Sequence, residues 1–380
     1  MYKKLFLEIE ALEEKYIKVW QEVCDIESPT EYKEGVDRVG DYFAERALAL
    51  GFEVERFVHG RAGNVVVITM NKNSEEAPIS LSGHMDTVHK LGSFPEGTKI
   101  KDGKIYGAGA VDCKGGIVAG LMAMEALKNC GFAERPVMLL LQSDEECNKS
   151  QKATIKYICE KAKDSLAFLN LESYNKGDAC LMRKGIMNLR FIIEGKEAHS
   201  ARCATEGASA IHEAAYKIIE LEKLKDKDGL TCTCTLINGG TAHNTVAGRV
   251  ELNANVRYAA ADEREYMLSY AKKVADTVYV EGCKTTLVMG GSRVAMEYTD
   301  RNADLLKRMN EVFEKCSMPT LRAVASTGGS DAADVTVYGI PCVDNLGVEG
   351  EGHHTKDEYA YVSSLSESAK RLAALAVGLK

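Results

Sequence analysis

The sequence predicts an α/β protein interrupted by a smaller βαββαβ domain, and three observations lead there. Strand-like and helix-like patterns alternate over the first 182 residues, the rhythm of a parallel sheet covered by helices. Between residues 183 and 296 the order becomes strand, helix, two strands, helix, strand, the split motif of a ferredoxin-like sandwich. From residue 297 the first rhythm returns. A discontinuous α/β domain is therefore expected at 1–182 and 297–380, with the insertion at 183–296.

Each element has its own warrant. The opening "MYKKLFLEIEALEEKYIKVW" places Leu5, Ile9, Leu12, Tyr16 and Val19 at helical spacing with acids between them. It reads as an amphipathic helix over 4–24, not a signal peptide. A second helix is expected at 34–50. "NVVVITM" (64–70) and "ISLSGHMD" (79–86) read as strands. "GGIVAGLMAMEALKNCG" (115–131) reads as a helix stopped at Gly131. The apolar runs "PVMLLLQSDEE" (136–146) and "SLAFLNLE" (165–172) have the length and flanks of buried strands.

In the insertion, "GIMNLRFIIEG", "LTCTCTLING", "GRVELNANVRY" and "CKTTLVMG" are strands. "GASAIHEAAYKIIELEKL" is a helix expected to bury Ile211, Ala215, Ile218 and Leu221, and "DEREYMLSYAKKVADTV" is a second helix. Beyond it come a helix (303–316), a glycine-rich turn, a strand near 340–346 and a last helix (363–378).

Composition excludes some classes. The 48 basic and 56 acidic residues leave a net charge of −8, with no basic surplus to displace counterions. No nucleic-acid or membrane partner is expected. No run of apolar residues is long enough for a transmembrane helix. Twelve dispersed cysteines without a CxxC pair fit a reduced, cytoplasmic protein better than a disulfide framework.

The stretch "IYGAGAVDCKGGIVAG" (105–120) invites a phosphate-loop reading, which fails. Gly107 and Gly109 begin a dinucleotide fingerprint, but the sixth position is Asp112, whose charge would repel a pyrophosphate. Lys114 is followed by Gly115 instead of the Ser or Thr that a Walker loop needs. A nucleotide-dependent oxidoreductase is disfavoured with it.

Other strand ends carry imidazoles and carboxylates. His84 and Asp86 close one strand, Asp144, Glu145 and Glu146 another, and Glu172 a third; His353 and His354 precede the final helix. Singly, each could be a cap or a solvated turn. Together they offer nitrogen and oxygen donors where α/β sheets build sites, a mixture that suits zinc, cobalt or manganese.

The segments "SGHMDTV", "YGAGAVDCKGGIVAGL", "SDEEC", "GKEAHS", "NANVRY", "STGGSDAAD" and "GHHTKDEY" resemble, in order, those of the M20 metallopeptidases, most closely the glutamate carboxypeptidase branch. The resemblance runs from about residue 80 to the end. It implies a zinc-peptidase-like α/β catalytic domain with an inserted ferredoxin-like lid that often dimerises. It implies two zinc ions per subunit, held by His84, Asp112, Glu146, Glu172 and His354, with Asp112 bridging. Asp86 would orient His84, and Glu145 would be the general base. His199 would stabilise the oxyanion, in its own site or across a dimer. Asn244, Arg257, Gly328 and Gly329 would bind substrate, with Arg257 on its terminal carboxylate. The family usually holds the peptide after the bridging aspartate in cis.

The resemblance further implies a carboxypeptidase or dipeptidase acting on a small peptide. An amidase of N-acyl amino acids is the near alternative, and a non-catalytic protein on the same fold a remote one. Departures lie near the lid: "SARCATEG" and "NTVAGRV" lack prolines common there, Ser173 follows Glu172, and "LMRKG" is basic. Arg183, Lys184 or Arg322 is expected to read an acidic side chain.

Overall fold

The computed structural model describes residues 1–226 and 229–380. Two compact units emerge. One comprises Met1–Leu181, Tyr298–Ala325 and Ser330–Lys380; the other comprises Met182–Glu297 and Ser326–Gly329.

The first unit is built on a six-stranded sheet. Its strands run in the order Glu53–Phe57, Val65–Met70, Val137–Gln142, Ile79–His84, Ala167–Asn170, Cys342–Val343. The last four are mutually parallel, and the first two add an antiparallel edge. Every residue of Val137–Gln142 and Ile79–His84 is buried, as strands of a sheet covered on both faces are, including Ser80, Ser82 and His84.

The opening helix, Tyr2–Cys24, buries the stripe Leu5, Ile9, Leu12, Tyr16, Val19, Trp20 and Val23. Each such side chain contributes roughly 1.5–3 kcal/mol of transfer free energy. The helix Lys114–Asn129 is buried from Lys114 through Leu127, so it needs little polar surface. Its first turn fits only because glycine stands there. A Cβ on Gly115 would lie 2.4 Å from the Ala110 carbonyl oxygen, and one on Gly116 2.2 Å from that of Leu171.

A second, four-stranded sheet orders Gly350–Glu351, Tyr359–Tyr361, Lys104–Tyr106 and Lys99–Lys101. No sequence pattern announced these short strands. They dock the segment around His354 beside the one leading to Asp112.

The second unit is a four-stranded antiparallel sheet ordered Thr231–Gly239, Arg249–Tyr258, Gly185–Glu194, Lys284–Arg293, with two helices, Ala210–Leu221 and Ala261–Asp276. Numbered along the chain, the strand order is 2-3-1-4, which is the ferredoxin-like arrangement. One expectation is corrected. Helix Ala210–Leu221 turns Ala210, Glu213, Ala214, Lys217 and Leu221 inward, while Ile211 and Ala215 are exposed. The cause is a buried ion pair: Lys217 Nζ lies 2.9 Å from Glu213 and donates to the carbonyls of Val274, Ala275 and Thr277. Those carbonyls close the neighbouring helix, so the lysine caps it from inside the core.

Candidate metal centre and hydrolytic site

Parallel strands end at one edge, and that edge gathers the donors. His84 is the last residue of its strand and is aligned with Gln142; Ser82 is aligned with Asn170. Glu145 and Glu146 therefore follow one neighbouring strand and Glu172 the other. Asp112 arrives from the loop before helix Lys114–Asn129, and its peptide to Cys113 is cis. His354 comes from the loop between the two C-terminal strands of the small sheet. Its φ of 62° lies in the left-handed region, sparsely used by residues with a side chain.

Asp112 is the pivot. Its Oδ1 lies 3.0 Å from His84 Nε2, and its Oδ2 lies 3.2 Å from His354 Nε2. Glu172 Oε1 stands 3.8 Å from His84 Nε2, and Glu146 Oε2 stands 3.4 Å from His354 Nε2. Two lobes result, each with one imidazole, one glutamate and one oxygen of the shared aspartate. Donor atoms of His84, Asp112 and Glu146 all fall within 4.8 Å of one another.

Asp86 is fully buried and touches both sides of the site. Its carboxylate accepts from the Thr30 hydroxyl at 2.6 Å and from the backbone N–H groups of Glu145 and Glu146, each at 3.1 Å. His84 Nδ1 meets the Asp86 carbonyl oxygen at 2.9 Å, nearer than the carboxylate at 3.5 Å. Asp86 thus fixes the His84 ring mainly through its backbone, while its carboxylate pins the turn that carries the two glutamates.

The electrostatics of the cluster follow from its crowding. Burial pushes Glu146 up to about 7, against the opposing pull of His354. Burial, followed by the charges of Asp112 and Glu145, lifts Glu172 well above the usual carboxylate range. Asp112 goes the other way: burial would raise it, but hydrogen bonds to His354 and His84 hold it well below that range. Hydrogen bonds to Asp112 and Glu146 raise His354 to about 10. For His84, burial favours the neutral ring, and Cys113, Asp112 and Asp86 outweigh it upward. Without a cation, protons must neutralise the crowded carboxylates. Two imidazoles and three carboxylates are a donor set that suits divalent zinc, cobalt or manganese.

The remaining expected residues lie in the second unit. His199 caps a short 3₁₀ turn, its Nδ1 accepting from Ala201 N–H at 3.2 Å, and Ser200 N–H donates to the Asn244 carbonyl at 2.9 Å. His199 and Asn244 are therefore neighbours. Arg257 donates to the Thr327 carbonyl at 3.4 Å, and Arg183 donates to the carbonyls of Gly328 and Gly329 at 3.3 and 3.4 Å. Arg183 thus shapes the glycine turn. Lys184 donates to the Gly229 carbonyl at 2.8 Å, and Arg322, in the first unit, pairs with Asp178. Thr30 and the buried Glu358, which touch loops carrying site residues, had no signal beyond their presence in the sequence.

Comparison with known proteins gives a family match. The model of peptidase family M20/M25/M40 matches residues 80–377. Carboxypeptidase G2 of Pseudomonas sp. strain RS-16 is 26% identical over 358 residues, covering 92% of this chain and 85% of the relative. Succinyl-diaminopimelate desuccinylase of Nitrosospira multiformis is 27% identical over 367 residues, covering 90% of this chain and 92% of the relative. Among solved structures, a tripeptidase of Staphylococcus aureus superposes with a TM-score of 0.80 at 24% identity, covering 96% of this chain and 97% of that one.

Proposed function

Because the chain belongs to peptidase family M20/M25/M40 and is a metallo-hydrolase, we propose that it cleaves the amide bond beside a free terminal carboxylate in a small peptide, as a carboxypeptidase or dipeptidase. The observation that carries this reading is the Asp112 carboxylate, with one oxygen toward His84 and the other toward His354. We propose two zinc ions: His84, Glu172 and Asp112 would hold one, and His354, Glu146 and Asp112 would hold the other. When bound, they supply Lewis acidity to the scissile carbonyl and to the attacking water.

The protein's own groups do the rest. Glu145 takes the proton from water and hands it to the leaving amine. Its backbone N–H donates to the Asp86 carboxylate, and its charge acts on both Glu146 and Glu172, which supports this role. His199 donates to the developing oxyanion. Arg257 grips the terminal carboxylate, Asn244 holds polar groups beside it, and Gly328 and Gly329 offer backbone N–H groups. Arg257 is half-buried, and burial favours its neutral form, so an anionic partner would be bound strongly there.

A homodimer through the inserted unit is part of the proposal. The edge strand Thr231–Gly239 exposes Leu236 and Ile237, and helix Ala210–Leu221 exposes Ile211, Tyr216 and Ile219. An apolar sheet edge beside an apolar helix face is what a second copy would cover. A cytoplasmic location is supported by twelve free thiols, and no helix among the described residues is long and apolar enough to cross a membrane. The likeness to a desuccinylase keeps an amidase of N-acyl amino acids as the second reading.

A substrate panel separates the two readings. Zinc-loaded protein is assayed on dipeptides, folates and N-acetyl and N-succinyl amino acids. Turnover of dipeptides or folates is expected, and turnover of N-acyl amino acids alone would favour the amidase. Glu145→Gln should lower kcat at least 100-fold, the usual scale of general-base catalysis, while keeping its zinc. Full activity in that variant would reject the proposed base.

A further inference from the structure

Glu358 lies four residues beyond His354, is 1% exposed, and points into the loop that ends at Asp112. Its Oε1 accepts from the backbone N–H groups of Val111 at 3.0 Å and Asp112 at 3.1 Å. Its Oε2 accepts from Gly109 N–H at 3.3 Å and faces the buried His89 Nε2 at 2.6 Å. The small sheet explains the reach: Tyr359 is paired with Tyr106, so residue 358 falls beside Gly107, whose N–H donates to the Glu358 carbonyl at 3.4 Å. One side chain therefore fastens the Asp112 loop to the segment that carries His354.

We infer that Glu358, braced by His89, is a positioning residue that sets the spacing of the two metal lobes by locking the Asp112 loop to the His354 segment. This rests on the metal-centre reading above. The two ligands come from segments 242 residues apart, and neither is held by its own element alone. His354 lies on an exposed loop, and Asp112 precedes its helix. A carboxylate can accept all four donors; an amide at the same place cannot, because its NH₂ would face a donor.

The test compares zinc affinity, by competition with a chromophoric chelator, in the wild type, Glu358→Gln and Glu125→Gln. Glu125 is an equally interior glutamate that bonds Tyr16 and Lys15 and touches neither loop, so it controls for loss of a buried carboxylate. Trp20, the single tryptophan, donates to the Ala110 carbonyl at 3.1 Å, so its emission reports the loop directly.

Glu358→Gln should weaken zinc binding about 10–100-fold and alter the Trp20 response to zinc, with kcat regained at saturating zinc and KM within about twofold of the wild type. Glu125→Gln should leave zinc affinity unchanged. If Glu358→Gln does not fold, His89→Gln removes the brace alone and should weaken zinc several-fold. Wild-type affinity in the folded Glu358 variant, or in His89→Gln where it stands in, overturns the inference and leaves the metal centre standing. A wild type that binds no zinc overturns both.

Discussion

At the scale of single residues, one carboxylate serves two imidazoles, and burial sets the electrostatics of the glutamates beside it. Glu146 keeps its proton to about pH 7, where an unperturbed glutamate titrates near 4.5. Below that pH a metal must displace the Glu146 proton; above it Glu146 is ionised, while His354 still holds a proton. Affinity for a divalent metal should therefore keep climbing as pH rises from 5 to 8, because His354, raised to about 10, must also give up a proton to bind it. Isothermal titration across that range checks it, and flat affinity from pH 5 to 8 would contradict it. The candidate ligands that the structure brings together were legible in the sequence because each sits at the end of a strand or beside a glycine-rich turn, in segments that resemble the family's. Glu358 was not. It lay inside the quoted "GHHTKDEY", but its partners are Gly109, Val111 and Asp112, almost 250 residues away. Nothing local marks a carboxylate as a buried acceptor.

Elements were legible to the extent that periodicity alone decides them. The helix Tyr2–Cys24 buries all five side chains that its spacing singled out. The strands Val137–Gln142 and Ala167–Asn170 are buried throughout, as their apolar runs required. Periodicity misled in helix Ala210–Leu221, where apolar Ile211 was assigned to the core and charged Glu213 and Lys217 occupy it. The side chains of Lys217 and Glu213 are 0% and 1% exposed, so each charge depends on its partner. Lys217→Met should cost roughly 3–5 kcal/mol, because it strands a buried carboxylate and uncaps the facing helix. Glu213→Gln combined with Lys217→Met should recover part of that loss. Denaturant unfolding measures both. A cost below about 1 kcal/mol for the single change would show that the pair is not the fastening described. The short strands Lys99–Lys101, Lys104–Tyr106 and Gly350–Glu351 escaped because two or three residues carry no period.

At the scale of the whole molecule, a βαββαβ unit interrupts an α/β unit whose sheet ends form the centre. The insertion was legible because the order of elements changes twice along the chain. Assembly is tested by mixing two inactive variants. If His199 serves a second copy, Glu145→Gln and His199→Ala protein mixed and re-equilibrated should regain about a quarter of wild-type activity, since half the dimers are mixed and each has one intact site. No regain, or a strictly monomeric protein in light scattering, would contradict action across the dimer.

The central claim is that Asp112 gathers two cations between His84 and His354. Anomalous diffraction at the zinc edge, on crystals of reconstituted protein, tests it most directly. Two metal positions flanking the Asp112 carboxylate are expected, one beside His84 and Glu172 and the other beside His354 and Glu146. A single position away from Asp112, or none, would contradict the account.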